Sequence, residues 1–512
     1  MQVEEFLEHS AQQLPDKTAL VVGDRRVSYA ELDRLANCVA HSLVQQGVRR
    51  GDRVAIYLES SVEAVASIFG ALKAGGVFMP INSTTKADKL AFVLNNSRAA
   101  AVVTDGKRCQ VLDEAKGRTP HLRVTLVAGS QRVGPAHAIA VSTLEDICSH
   151  DEWSSAPPRK RSIDIDLAAL IYTSGSTGNP KGVMLTHLNM VAAATSITTY
   201  LENTSDDIVL NVLPLSFDYG LYQVLMAFKV GATVVLERSF AYPHAVLDRL
   251  IHERVTGFPI VPTISAILLQ LDLSAYDLSS LRYVTNTGAA LPTHHITELR
   301  RLLPRVRLYS MYGLTECKRV AYLPPEEVDA RPSSVGQAMP NVEVYLVDEQ
   351  GNRLDAGVGE LVIRGSNVMK GYWEMPEETD RVLKPGPLPG ERVLYSGDLF
   401  RMDEEGYLYF VGRKDEIIKT RGEKVSPREV ENALTSLDGI AEAAVVGIPD
   451  PVLGQAIKAV VTLKSGAALT EQQIMRHCAQ RLEDFMVPRS VEIREALPQT
   501  STGKVAKKAL AV

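Results

Sequence analysis

Residues Tyr172–His187 read YTSGSTGNPKGVMLTH. Within them, Thr173–Lys181 hold two Gly, four Ser or Thr, one Asn, one Pro and a single Lys. Almost nothing here suits a core, yet apolar residues flank the stretch on both sides. It therefore reads as a tight polar loop held on a scaffold. The run LAALIY enters it as a strand, and a helix is expected to leave it near Thr186. A polar Gly-rich turn between strand and helix offers unpaired backbone N–H groups and hydroxyls, a concave site for phosphate oxygens. Lys181 would add a point charge. A solvated surface loop fits the same composition, so this stretch alone leaves both readings open.

Two named phosphate motifs are excluded by register. The Walker pattern needs Gly-Lys-Ser/Thr, whereas Gly178 is followed by Asn179 and Pro180 before Lys181. Gly503-Lys504 runs into Val505, with Pro498 where the earlier Gly should stand. No G-x-G-x-x-G opens a helix after a strand, so the dinucleotide fingerprint is also missing.

Outward from the loop, two periodicities alternate. SYAELDRLANCVAHSLVQQG places Leu32, Leu35, Ala36, Val39, Ala40 and Leu43 at helical spacing. Ser28 and Glu31 form a capping-box signature before it, and Gly47 is the expected terminator. RVAIYLE, VFMPIN, AAAVVTD, DIVLNVLPL, ATVVLE, VTGFPIVP, LRYVTNTG and RLYSMYG read as strands, with SVEAVASIFGALKAGG and KADKLAFVLNNS as helices among the first of them. This alternation predicts an α/β fold with parallel or mixed sheets covered by helices. Residues 150–165 read as a loop. Near residue 340 the pattern changes to VEVYLVD, GELVIRG, ERVLYSGD and YLYFVGR, short strands of an antiparallel β subdomain. After Arg413–Asp415 a compact α+β unit begins, with a capping box at Ser426 and Glu429, Pro427 at the first helical position and a Thr470 cap. The expected division is 1–414 and 415–512.

The 512 residues are 45% hydrophobic and 23% charged, ordinary for a globular protein of more than one domain. A net charge of −6 argues against a general nucleic-acid binder. The five cysteines are far apart and never form C-x-x-C, as in a reduced, cytoplasmic protein without a disulfide frame or zinc site. The acidic, polar start does not resemble a signal peptide, and no apolar run approaches the ~18–20 residues that span a bilayer.

The segments YTSGSTGNPKG, LPLSFDYG, NTGAALP, MYGLTE, YSGDLFRMDEEGYLYFVGRKDEIIKTRGEKVSPREVE and LPQTSTGKVAKKAL resemble, in order and separation, the adenylate-forming (ANL) superfamily. That superfamily includes acyl-CoA synthetases, nonribosomal-peptide adenylation domains and firefly luciferase. The resemblance runs from about Ser28 to Leu510 and implies an AMP-forming acid–thiol ligase. With Mg-ATP it would convert a carboxylic acid to an acyl adenylate and pyrophosphate, then pass the acyl group to a phosphopantetheine thiol. It also implies that 415–512 is a mobile lid.

Residue roles follow from the same resemblance. Thr173, Ser174, Gly175, Ser176, Thr177, Gly178 and Lys181 would cradle the departing phosphates. Glu316 would ligate Mg²⁺, a hard cation that takes oxygen ligands, and Thr315 would bond the α-phosphate. Gly288, Ala289 and Ala290 would form a flat wall for adenine, with Tyr312 on its other face. Asp398 would hold the ribose and Arg413 the nucleotide near the hinge at Asp415. Lys504 would bridge carboxylate and α-phosphate, then leave, and Gly422 would line the pantetheine tunnel.

The acid pocket carries over to Asp218, Tyr219, Tyr222, Pro259, Thr285, Thr287, Met311 and Val320. Two Tyr and a Pro narrow it, which favours a small or medium acid. Asp218 matches the carboxylate that pairs with the α-ammonium in amino-acid adenylation domains. A buried carboxylate without a partner is costly, which favours an amine-bearing acid; a helix cap or a solvent-facing Asp fits the residue equally. No carrier-protein sequence follows Val512, so the expected thiol is CoA or a free-standing acyl or peptidyl carrier protein. A luciferase-type oxygenase, a P-loop ATPase and a non-catalytic nucleotide sensor are the competing readings. The last would be expected to lack Glu316, Asp398 or Lys504, and all three are present.

Overall fold

A computed structural model describes residues 1–129, 141–143, 156–173, 180–414, 416–420, 423–450, 453–500 and 505–511. Among the described residues, a nine-stranded sheet runs in the order Gln337–Ala338, Ala321–Tyr322, Arg307–Tyr312, Tyr283–Asn286, Gly257–Ile260, Ile208–Asn211, Thr233–Leu236, Thr18–Val22, Arg25–Ser28. Pairing is parallel from Thr18–Val22 through Arg307–Tyr312 and antiparallel at both edges. Thr233–Leu236, Gly257–Ile260 and Tyr283–Asn286 are buried throughout, as expected for parallel strands covered on both faces.

A second, eight-stranded sheet carries Gly371–Tyr372, Lys181–Thr186, Leu167–Thr173, Val77–Pro80, Arg53–Ile56, Ala101–Asp105, Val124–Ala128 and Val141–Thr143. Helix His187–Tyr200 lies on this sheet and packs against Asp218–Val230, which lies on the first. The two sheets thus share a helical filling. Helix Tyr29–Gln45 starts where Ser28 accepts from the Glu31 N–H at 3.2 Å, and it ends just before Gly47 at φ +90°.

The structure corrects the expected strand–loop–helix. Lys181–Thr186 is a strand antiparallel to Leu167–Thr173, with Thr173 opposite Lys181, so the polar stretch joins two strands. The helix follows only after that second strand, capped by Thr186 in a complete capping box with Asn189. Its N-terminal dipole is therefore six residues of strand away from the loop. A first helix, Glu5–Gln13, was also not anticipated; its buried Phe6, Leu7 and Ser10 dock it, and Ser10 donates to the Phe228 carbonyl at 2.6 Å.

The antiparallel subdomain is a six-stranded sheet built on Val342–Val347, Gly357–Gly365, Arg392–Met402 and Leu408–Arg413. Beyond it, Ile418–Thr420, Glu423–Val425, Ile440–Asp450, Gly454–Leu463 and Ser490–Ile493 form a separate five-stranded sheet. Helices Pro427–Thr435 and Glu471–Ala479 cover it, capped by Ser426 and Thr470. This sheet has its own core, including Ile418, Val430, Leu434, Val461 and Ile474. Among the described residues no helix is long and apolar enough to cross a membrane.

Helix Glu5–Gln13 is seated against a buried acid and base. Burial raises the Glu4 carboxyl from 4.5 to about 7. His187, fully buried and lowered by burial to about 4, accepts from the Val3 N–H at 3.2 Å. Because the folded pKa of Glu4 is raised, its contribution to stability is fully present below 4.5 and is lost as pH rises through about 7. Glu4→Gln should therefore match the natural chain in acid, gain on it as pH rises from 4.5 to about 7 and hold a constant advantage above, on the order of 1–3 kcal/mol. Unfolding free energies of the pair between pH 4.5 and 8 measure the difference; a gap independent of pH would contradict it.

Candidate active site

The turn after strand Arg307–Tyr312 organises the site. A Cβ on Gly313 would lie 1.8 Å from the Lys318 carbonyl oxygen, so only glycine fits. The Lys318 and Cys317 N–H groups both donate to the Leu314 carbonyl, at 2.6 and 3.1 Å, and close the turn. Lys318 itself sits in the left-handed region at φ +70°. Outside the turn, the buried Asn367 amide donates to the Cys317 and Arg319 carbonyls at 2.7 and 3.0 Å. The Met369 N–H donates to the Glu316 carbonyl at 2.7 Å. Thr315 and Glu316 are thus held half-buried on a backbone that is pinned from both sides.

The Glu316 carboxylate accepts from the Tyr372 hydroxyl at 2.8 Å. Tyr372 also pairs with Val183 across an antiparallel bridge. The Lys181 ammonium lies 5.2 Å from the centre of the same ring and donates to Glu378 at 2.6 Å. That bond holds the Glu378 carboxyl below the usual range. The base of the polar hairpin, Thr173 and Lys181, therefore meets Glu316 at one tyrosine.

On the other side of the turn, Tyr312 donates its hydroxyl to Asp398 and packs edge-on against Phe400, 4.7 Å between ring centres. Asp398 and Arg413 face each other across neighbouring strands, and the guanidinium reaches the carboxylate at 2.9 Å. Gly288 has φ +84°, and a Cβ there would press on the Phe217 ring at 3.2 Å. Ala289 is exposed beside it, and Arg428 of the C-terminal unit donates to the Ala290 carbonyl at 3.2 Å.

The expected acid-pocket residues follow the carboxyl ends of adjacent parallel strands, where open α/β sheets bind ligands. Pro259 and Thr285 are register partners, and the Tyr219 hydroxyl bonds Thr285 at 2.7 and 2.8 Å. Thr287, Met311 and Val320 are buried, and the Tyr200 hydroxyl donates to the Met311 sulfur at 2.9 Å. Asp218 is buried at the first turn of its helix, and the capping position belongs to Phe217. Neither the solvent-facing nor the helix-cap alternative describes it. Its nearest cation is the chain's own Lys318, 3.9 Å away, where sequence reading placed a substrate ammonium. Lys318 and Arg319 were missed because they were read only as neighbours of the YGLTE motif. Ser174, Gly175, Ser176, Thr177, Gly178, Asp415, Gly422 and Lys504 lie outside the described residues.

These residues suit magnesium nucleotide. Mg²⁺ is usually bound by one or two carboxylates together with substrate phosphates, and Glu316 offers one carboxylate beside a cationic Lys181. Among the described residues no cluster of three or more His, Cys, Asp or Glu could hold a metal unaided. The buried Asp398 offers acceptors suited to vicinal hydroxyls.

The AMP-binding enzyme family model matches residues 7–373, and the AMP-binding enzyme C-terminal domain matches 429–504. The chain belongs to the AMP-binding enzyme family: it is an ATP-dependent, AMP-forming ligase, and ATP, Mg²⁺ and CoA are the family's cofactors. It is 31% identical to a long-chain-fatty-acid–CoA ligase of Bacillus subtilis, over 99% of this chain and 94% of that one. It is 30% identical to part of a linear gramicidin synthase from Brevibacillus parabrevis, over 100% of this chain and 10% of that one. Among solved structures, ATP-bound MatB from Rhodopseudomonas palustris superposes with a TM-score of 0.88 at 29% identity, covering 100% and 98% of the two chains. The amide bond synthetase McbA from Marinactinospora thermotolerans reaches 0.90 at 28% identity, covering 99% of each.

The Tyr372 hydroxyl orients a carboxylate rather than supplying charge. Tyr372→Phe should raise the Mg²⁺ concentration for half-maximal activity by about ten-fold, the scale of one hydrogen bond to a charged group. ATP–pyrophosphate exchange titrated with Mg²⁺ reads this directly, and an unchanged midpoint would remove Tyr372 from the account.

Proposed function

We propose that the chain activates a small or medium carboxylic acid as its acyl adenylate and transfers the acyl group to a phosphopantetheine thiol. The observation that carries this reading is the placement of two chemically different sites on the two sides of one turn. Glu316, Tyr372 and Lys181 lie together on one side; Asp218, Tyr222 and Lys318 lie on the other. Between them runs the short segment Gly313–Lys318.

The reaction explains that arrangement. A substrate carboxylate oxygen attacks the α-phosphorus of ATP; a new P–O bond forms, and the bond to the pyrophosphate oxygen breaks. Attacker and target are both anionic, so charge must be neutralised and the oxygens held in line. We assign Lys181 and the hairpin residues Thr173–Gly178 to the departing phosphates, and Thr315 to the α-phosphate. Glu316 would hold Mg²⁺, which when bound neutralises phosphate charge. Asp398, steadied by Arg413 and Tyr312, would take the ribose hydroxyls, and Gly288–Ala290 the adenine. In the second step the thiol sulfur attacks the acyl carbon and AMP leaves.

We assign residues 415–512 to a lid that alternates between these steps, with Asp415 as hinge, Lys504 serving adenylation and Gly422 lining the thiol path. CoA or a free-standing carrier protein would supply the thiol, in the cytoplasm. An amine-bearing acid remains the second reading, favoured by Asp218; the cation already beside that carboxylate counts against it.

Lys504→Ala should lower ATP–pyrophosphate exchange by roughly 10²–10³, the usual scale for one electrostatic stabiliser of a transition state. Near-normal exchange would remove the assignment. Asp415→Pro should spare exchange while depressing thioester formation with CoA or a loaded carrier. Equal losses in both half-reactions would speak against a two-position lid.

A further inference from the structure

We propose that the acid activated by this chain carries a second carboxylate, received at the far end of the pocket by Lys318, Arg319 and Tyr222. The inference rests on the ligase reading above and specifies its substrate class.

Three side-chain donors of this region are buried without partners. Lys318 is 1% exposed, and its ammonium has no hydrogen-bond partner among the described residues. The nearest carboxylate oxygen, on Asp218, is 3.9 Å away, beyond hydrogen-bond reach. The Tyr222 hydroxyl and the Arg319 Nε are likewise buried without a partner, and the Lys318 ammonium lies 5.7 Å from the Tyr222 ring centre. Arg319 spends one N–H on the Lys318 carbonyl at 3.3 Å and spreads its guanidinium over the Tyr219 ring at 4.7 Å. Buried polar groups are almost always paired, so three open donors around one locus mark a place for acceptor oxygens.

Charge points the same way. Lys318 lies 3.9 Å from Asp218, and Arg319, the next residue, brings a second cationic side chain over Tyr219. A substrate ammonium would add a third cation. A plain alkyl chain would leave every donor open. A carboxylate supplies two oxygens that accept from both guanidinium and ammonium. Lys318 is also held at φ +70°, an uncommon conformation for a residue with a side chain, and such outliers gather at ligand sites. Asn367 and Gly313 enforce it from either side of the turn.

The test is ATP–pyrophosphate exchange by the full chain with matched straight-chain acids, propanoate to octanoate against malonate to suberate, and with alanine and norleucine. The preferred dicarboxylate should exceed its monocarboxylate partner at least about ten-fold in kcat/KM, the scale of one charge-assisted hydrogen bond. Lys318→Met should raise KM for that dicarboxylate about ten- to a hundred-fold with a smaller change in kcat, and leave the monocarboxylate equal or better. Arg319→Gln should move the ratio in the same direction. If a variant fails to fold by thermal melt, the ratio in the natural chain still decides. Preference for a monocarboxylate or an amino acid would overturn the proposal and leave the ligase standing, as would a Lys318→Met that weakens both acids of a pair equally. No exchange with any acid would overturn the ligase reading and this proposal together.

Discussion

The close approach of Gly313 to the Lys318 carbonyl is the constraint on which the site depends. With a side chain at 313, the backbone could not turn back within six residues. That turn lets one short segment serve two environments. Thr315 and Glu316 face the polar hairpin base, while Lys318 and Arg319 return into the buried interior. A rigid segment can hold the Glu316 carboxylate and the Lys318 ammonium two residues apart without their pairing. Asn367 supplies that rigidity by occupying two carbonyls of the turn, and its burial makes those bonds costly to lose.

The two large sheets are coupled at this point rather than merely stacked. The short strand Gly371–Tyr372 belongs to the second sheet, yet its Tyr372 hydroxyl bonds a residue that follows a strand of the first. A shift of the polar hairpin relative to the nine-stranded sheet would break the Tyr372–Glu316 contact. The base of the polar hairpin and the Glu316 carboxylate are therefore tied to one another. The nucleoside side is fixed independently, by the Asp398–Arg413 cross-strand pair in the antiparallel subdomain.

Much of the fold was legible because local signals agreed. The Ser28, Ser426 and Thr470 caps and the strand runs around Val234, Val284 and Leu308 lie where periodicity places them. The helix start at Thr186 was legible because its cap is a strong local signal, whereas the six residues of strand between loop and helix carry a weak one and were missed. Helix Glu5–Gln13 escaped notice because its buried face is only Phe6, Leu7 and Ser10. The pairing of Asp218 with Lys318 could not be read at all. One hundred residues separate them in sequence, and the strands that precede them have two others between them in the sheet, so only the tertiary fold brings them together. Motif reading stopped at Glu316, two residues short of the cation that changes the meaning of Asp218.

That change has an energetic consequence for how the pocket discriminates. A wall of apolar groups distinguishes acids by one methylene at a time, worth only about 1–3 kcal/mol. Buried donors discriminate differently, because a ligand without matching acceptors removes their remaining access to water and leaves them unpaired. Rejection then comes from the penalty on the wrong acid as much as from attraction to the right one. On the proposed reading, the buried Tyr219 and Tyr222 would narrow the pocket and Lys318 and Arg319 would set its polarity. Glu316 would then serve the nucleotide while the two positions after Cys317 define the acid, both on the one turn that Gly313 permits.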